Sequence, residues 1–598
     1  MMWAFQYGKQ FWAGQIYPRW LEGSYFGLGS PTFSFYPPLC MISTLPFVWL
    51  GTGKALVGSM VLATVVRAWG SYWAARQVWS APISLAVLMM AATTPYFVLD
   101  IYDRGAIAEV WGLSLMPWVI GAGLGLTRAT LSRSRWWPWA LALALAYGGL
   151  ALTHLPMVLV WTVVWPLWPF CFTQSFSGLL CLTAWRQFLT LGIPIYGATG
   201  LGLLSVSFFL LPAALDQSLV SIDLINGWDI YDPLQRFMVN FASGIQITEY
   251  DRTLLPHFWI PLLVLGLTII VAVLTIEPSQ KSSQKSSQMP TQTPQISGSI
   301  EPRIQRGLLF FIAGSLLIAS FMMTSLSAPL YQLSSSLTRI QFPWRWMGVS
   351  ASVLPFCFGY LWQGIPALGR LSSTALKSLP LKQSGQVAGS LLILGLMGWI
   401  MAQGLAYTRQ ALYNPPLVAQ FERLMEQRPA FPAEPTIDPV KGEPFLGWHW
   451  EYPEGLAFVD AFEYRPMAGQ GSPVPPATTY PLLEWQSGQG QIETPIWQYG
   501  RRHFFVEPDP NSDPVVLNLR MYAYPAWQVR QNGRSLSQDQ ISTTPDGRLQ
   551  LALDPNPTEI DIRYQGTSAE RWGNAISGIV ILGLGIFSVW QGQAHRQF

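Results

Sequence analysis

Asp100, Asp103, Arg104 and Glu109 stand close together at the junction of two long apolar runs, residues 83–99 and 106–126. Charge at a membrane boundary is costly, and it is kept there either for solvation at the headgroups or for function. Only 11% of the chain is charged, so this cluster is the first place to look for chemistry. Asp103 and Glu109 could serve as general base and acid, or hold a divalent cation with Asp103 as a ligand. The plainer alternative is an Asp/Arg/Glu salt bridge that holds the loop.

Two further groups carry similar chemistry. Arg339 is followed by Pro343-Trp344-Arg345-Trp346, and two arginines among aromatic rings suit a pyrophosphate or a lipid phosphate. Ordinary snorkelling at the interface is the alternative. Near the N-terminus, residues 14–39 are dense in Gly, Pro and aromatics. Arg19 could meet phosphate there with Glu22 beside it, or the rings could simply anchor the loop at the interface. His154 and His257 fit interfacial positions better than ligand positions. Cys40, Cys171, Cys181 and Cys357 lie in or beside apolar runs, with no Cys/His spacing for zinc. No phosphate-cradling Gly loop, nucleophile elbow or zinc-protease helix is present, and nothing suggests nucleic acid.

The elements that position these groups follow from composition, which is 50% hydrophobic and 14% aromatic. About a dozen apolar stretches approach the roughly 20 residues that a helix needs to cross a bilayer. They cover 35–50, 54–79, 83–99, 106–126, 136–152, 156–170, 188–211, 258–276, 308–326, 346–361, 387–406 and 576–590. The class is an α-helical polytopic membrane protein, because only helices or closed barrels satisfy the backbone in lipid.

Arg76, Arg128, Arg133, Arg135, Arg186, Arg303, Arg306, Arg370 and Arg596 fall in alternate loops, which the positive-inside bias makes cytoplasmic. The cluster at 100–109, His154, Arg339, Trp344 and Arg345 then lie outside. So does a region, 409–574, that reads as an extracytoplasmic antiparallel β domain. Its expected strands are 503–506, 515–521, 527–530, 549–553 and 559–564, with turns at Asn532-Gly533 and Asp546-Gly547.

Residues 1–34 read as an external juxtamembrane loop, 35–408 as the membrane domain, 278–302 as a disordered cytoplasmic linker, and 575–598 as a last membrane helix with a cytoplasmic tail. The stretch 35–50 opens on prolines and is expected to re-enter the membrane rather than span it. An upstream membrane helix outside this sequence is the expectation that would carry residues 1–34 across.

Several motifs together resemble one family. They are Pro18-Arg-Trp20, Gly27-Leu-Gly-Ser-Pro31, Phe35-Tyr-Pro-Pro-Leu39, Tyr102-Asp-Arg-Gly-Ala106 with Glu109, Gln341-Phe-Pro-Trp-Arg345, Tyr524-Pro-Ala-Trp527 and the run from Gly566 to Arg571. The chain resembles, along its whole length, the bacterial polytopic membrane family labelled pyruvoyl-tetrahydropterin-synthase-related. The soluble pterin enzyme behind that label needs three zinc-binding histidines, which five scattered histidines do not supply. The family is similar instead to the C-type glycosyltransferase superfamily.

That resemblance implies a membrane glycosyltransferase using a polyprenyl-phosphate-linked sugar at the outer face of the cytoplasmic membrane. Arg339, Arg345 and Arg104 would hold phosphate, and Asp103 or Glu109 would position a metal or the acceptor hydroxyl. The acidic residue that the superfamily carries just after its first helix has no counterpart here. Glu22 is a poor substitute by position, whereas Asp103 matches a second acidic position. The rival readings are a transporter or flippase of a lipid-linked saccharide, for which Arg67 is the main mid-span charge, and a non-catalytic cell-envelope scaffold.

Overall fold

The computed structural model describes residues 2–173, 182–222, 232–241, 249–275, 300–375, 382–411, 461–470, 481–510 and 514–594. The longer helices, in chain order, are α1 (Met2–Trp12), α2 (Thr52–Arg76), α3 (Ala81–Thr93), α4 (Pro95–Tyr102), α5 (Ile107–Leu131), α6 (Trp137–Ala151) and α7 (Leu155–Val164). They continue with α8 (Leu182–Ser205), α9 (Ser207–Leu215), α10 (Leu255–Thr275), α11 (Ile300–Met322), α12 (Met347–Ala375), α13 (Lys382–Ala411) and α14 (Ser568–Ala594).

Counting α3 and α4 as one stretch, eight helices among the described residues are long and apolar enough to cross a membrane. The chain is therefore a multi-pass membrane protein.

Several expected spans are shorter or broken. The 35–50 stretch is not one helix: a turn at Leu39–Ile42 and a 3-10 turn at Leu45–Leu50 divide it, as its prolines dictate. The 188–211 stretch breaks at Val206 between α8 and α9. The 136–152 and 156–170 stretches form apolar helices too short to count among the eight. The 278–302 linker lies, up to residue 299, outside the described residues.

The chain divides into two compact units. The first joins residues 1–59, 205–228 and 415–598. Residues 1–34, expected as a loop of their own, are thus part of the unit that holds the β domain. Its strands form two antiparallel sheets. One has the order β1 (Leu483–Ser487), β4 (Val515–Tyr522), β8 (Arg548–Leu553), β7 (Ile541–Thr543). The other runs β2 (Gly490–Gln498), β3 (Arg501–Pro508), β9 (Thr558–Tyr564), β5 (Trp527–Gln531), β6 (Arg534–Ser535).

All five expected strands are present. Four further strands, β1, β2 and the short β6 and β7, escaped the alternation pattern. In β2, Pro495 interrupts the pattern and falls where the register with β3 shifts between Glu493 and Ile496. The Asn532-Gly533 turn has positive φ at both residues, 48° and 79°, as a tight hairpin requires.

Trp20, Tyr25, Leu28 and Phe35 share one apolar core with Phe504, Leu517, Leu551, Ile560 and Ile562 of the strands. The Tyr522 amide donates to the Leu28 carbonyl at 2.8 Å, so N-terminal backbone is bonded at the end of β4. In α14, Trp572, Ile579, Leu582 and Ile586 are exposed, a surface suited to lipid.

The second unit joins residues 60–204 and 229–414. It is a helical bundle in which α5 is largely buried and α12 packs on α3, α4, α5, α10, α11 and α13.

Candidate functional site: a buried charge cluster in the helical unit

The turn between α4 and α5 brings the charges together. Tyr96, Asp100 and Arg104 are spaced four apart, so they share one face as α4 runs into its terminal turn. Helix α4 ends where the Arg104 amide donates to Leu99 O at 3.1 Å and the Ala106 amide to Asp100 O at 2.9 Å. Gly105 takes a φ of 58°, which reverses the chain at little steric cost. Helix α5 then begins at Ile107, and Glu109 sits in its first turn, where the helix dipole favours an anion.

The side chains converge on one guanidinium. Arg104 Nη1 pairs with Asp100 and, at 2.9 Å, with Glu109 Oε2. The Tyr96 hydroxyl donates to Glu109 Oε1 at 2.6 Å. Asp100 is 0% exposed and Glu109 1%, while Arg104 keeps 15% of its surface. Asp100 Oδ2 is buried without a hydrogen-bond partner among the described residues. Two carboxylates on one guanidinium leave the group electrostatically incomplete, and a second cation acts on it: Glu109 feels the charges of Arg104 and Arg345, with the buried His154 nearby.

The aromatic side is equally ordered. The Arg104 guanidinium lies 4.3 Å from the Trp344 ring centre. Trp344 stacks on Phe342 at 5.0 Å, and Arg345 and Arg236 each lie 5.3 Å from the Phe342 ring. Such cation–π contacts strengthen when water is excluded. Arg345 donates to Ile340 O at 2.8 Å and to Gln341 Oε1 at 2.9 Å. Gln341 itself has a φ of 66°, an uncommon backbone for a side-chain-bearing residue. Arg345 Nε and His154 Nδ1 are buried without hydrogen-bond partners among the described residues.

The structure thus brings together Arg104, Glu109, Trp344 and Arg345, with His154 as an electrostatic neighbour. Asp103 is exposed at the end of α4 and does not join the buried pairs; Asp100 takes the place expected for it. Arg339 is exposed just beyond the helical turn Ser335–Thr338. Among the described residues, no three His, Cys, Asp or Glu side chains group as a metal site requires, so a cation at Asp103 gains no ligand set. Tyr96 and Arg236 escaped the sequence reading, whereas Phe342 lay within its Gln341–Arg345 motif. The four-residue spacing of Tyr96, Asp100 and Arg104 was the signal that could have found Tyr96.

Arg19 and Glu22 belong to the first unit. Arg19 pairs with Glu570 at 3.0 Å and donates to Phe208 O at 2.8 Å and to Asn574 Oδ1 at 2.9 Å. Glu570 also accepts from Ser34 at 2.7 Å and Tyr564 at 2.9 Å. Glu22 accepts from the Gly500 amide at 3.0 Å and pairs with Arg502, which is 1% exposed. Both residues tie the N-terminal segment to the rest of their unit, and their polar atoms are engaged in doing so.

Arg67, the mid-span charge, is fully buried, and its three nitrogens donate to the carbonyls of Ala91, Leu113 and Ala351. Comparison of the chain with family models, curated proteins and solved structures returns no match.

Proposed function

We propose that this chain is a membrane glycosyltransferase of inverting type, taking its sugar from a polyprenyl-phosphate donor at the outer face of the cytoplasmic membrane. One observation carries the reading: Arg104 bridges two buried carboxylates and lies on Trp344, beside Arg345, at the ends of apolar helices. Ionisable groups inside a membrane protein are expensive and mark sites of function by default. Aromatic faces next to guanidinium groups suit a sugar joined to phosphate.

In this reading Arg345 and the exposed Arg339 neutralise the donor phosphate, and Trp344 with Phe342 borders the sugar. The exposed carboxylate of Asp103 accepts the proton of the acceptor hydroxyl. The hydroxyl oxygen bonds to the anomeric carbon as the carbon–oxygen bond to phosphate breaks, and the arginines stabilise the departing phosphate. Glu109 and Asp100 hold Arg104 in place. The transporter reading is weakened because Arg67, its main mid-span charge, is committed to backbone carbonyls.

The test is glycan analysis of cells carrying Asp103→Ala or Arg345→Ala in a full-length gene. Each substitution is expected to lower the surface glycan at least about a hundredfold, the scale of losing general-base catalysis. Unchanged profiles for both variants overturn the proposal.

A further inference from the structure

The three carbonyls that Arg67 binds share a property written in the sequence: each lies four residues before a proline. Ala91 precedes Pro95, Leu113 precedes Pro117 and Ala351 precedes Pro355. In a helix the amide at position i donates to the carbonyl at i−4, and proline has no amide hydrogen to give. Each proline therefore strips the helical partner from one carbonyl. The Arg67 nitrogens reach these same three carbonyls, Nε to Ala91 at 2.8 Å, Nη1 to Leu113 at 2.6 Å and Nη2 to Ala351 at 2.7 Å. The guanidinium also lies 4.5 Å from the Phe97 ring.

The same helices carry the charge cluster. Ala91 lies just before the Thr94-Pro95 break that starts α4, with its Tyr96 and Asp100. Leu113 lies one turn beyond Glu109 on α5. Ala351 lies in the opening turns of α12, which follows directly on the Pro343–Trp346 turn that carries Trp344 and Arg345.

We infer that Arg67 is a positioning residue for the cluster: it fills three proline-vacated carbonyls at once and so fixes the mutual placement of the helices that bear Asp100, Glu109 and Trp344. A lone proline bend leaves a helix free to find several angles, whereas three bends tied to one planar fork share a single arrangement. This inference rests on the cluster being the functional site only in what it says is being positioned.

The experiment uses the full chain in detergent, with two readouts: melting temperature, and hydrogen exchange of the amides of residues 99–106, the proline-free turn that holds Arg104. Arg67→Met is expected to lower the melting temperature by about 10 °C and to speed exchange of that turn at least about tenfold. Arg67→Lys, whose ammonium has three donors but no fixed fork, is expected to fall between. Adding Pro95→Ala, Pro117→Ala and Pro355→Ala to Arg67→Met restores amide donors to the three carbonyls. That chain is expected to recover most of the melting temperature while exchange of the turn stays fast.

Recovery of both readouts would reduce Arg67 to a staple for stability and overturn the positioning role. Recovery of neither would overturn the assignment of the proline-vacated carbonyls. Failure of the wild-type protein to bind polyprenyl phosphate would overturn the proposed function and leave this cycle intact.

Discussion

Two buried arginines in the helical unit solve the same problem in opposite ways. Arg67 is fully enclosed, donates to three neutral carbonyls and lies on the Phe97 ring, with no carboxylate paired to it among the described residues. Arg104 keeps 15% of its surface and meets two carboxylates and two aromatic groups. A guanidinium held by carbonyls is set by backbone geometry, and nothing passing by can exchange for its partners. A guanidinium held by carboxylates beside other cations belongs to a charge balance that an incoming anion or proton can alter. The first arrangement builds a frame and the second can take part in chemistry. Burial of charge does not by itself separate the two.

The largest effect that sharpens this contrast is expected at the frame. Arg67→Met leaves the Leu113 and Ala351 carbonyls without the Arg67 donor and the Ala91 carbonyl with only a long bond from Thr94 Oγ1 at 3.4 Å, and each unsatisfied group costs about 1–3 kcal/mol, partly offset by no longer burying a charge. Thermal melts of the detergent-solubilised chain read the loss. Equal stability of Arg67→Met and wild type would break the comparison outright.

Next in size is Arg104→Met, which leaves Asp100 and Glu109 buried without the guanidinium that pairs with both. Such a break costs about 3–5 kcal/mol. Asp100→Asn with Glu109→Gln in the same chain should restore most of it, because the stranded charges are then gone. No such rescue is available to Arg67→Met by changing side-chain charges, and this asymmetry is the sharpest test of the contrast.

A smaller loss is expected in the first unit. Glu22→Gln keeps the shape but strands the buried Arg502 guanidinium, at a cost of about 1–3 kcal/mol. It should show as a lower melting temperature and faster proteolysis of the N-terminal segment, with the 99–106 amides unchanged.

The smallest effect is a pH dependence at Asp561 on β9. Burial alone would raise its carboxyl, but hydrogen bonds and charge from Arg501 and Arg563 outweigh it and hold the group below its usual range. A carboxylate depressed in the folded state adds stability above its unfolded value of 3.8, and the contribution is lost as pH falls through the folded value. Asp561→Asn should therefore match wild type below that window and be slightly less stable at neutral pH. The two arginines are 40% and 51% exposed, so solvent screens most of the gain.

Much of the architecture was legible in the chain. Long apolar runs need no tertiary information to become helices, since lipid forces the backbone to satisfy itself within each segment. Alternating residues marked β5 before Asn532-Gly533 and β8 after Asp546-Gly547, but not the short β6 and β7 that pair with them across those turns. The motifs around Arg104 and Trp344 named residues that the fold brings together, whereas Asp100 rather than Asp103 is the aspartate buried against Arg104. Which carboxylate turns inward depends on the register of α4 after the Thr94-Pro95 break, and hydropathy does not carry that register.

By itself the sequence determined the class of the protein, the places where prolines interrupt its helical bonding and the few charges available to act, because chain length, proline and apolar content are local properties. Only the tertiary structure decided what those charges do. Arg67 looked like a transit charge until three distant carbonyls met it, and Glu22 looked like an acid until Arg502 closed on it. Partners separated by hundreds of residues are chosen by how the elements pack, and that choice is a property of the whole fold rather than of any segment.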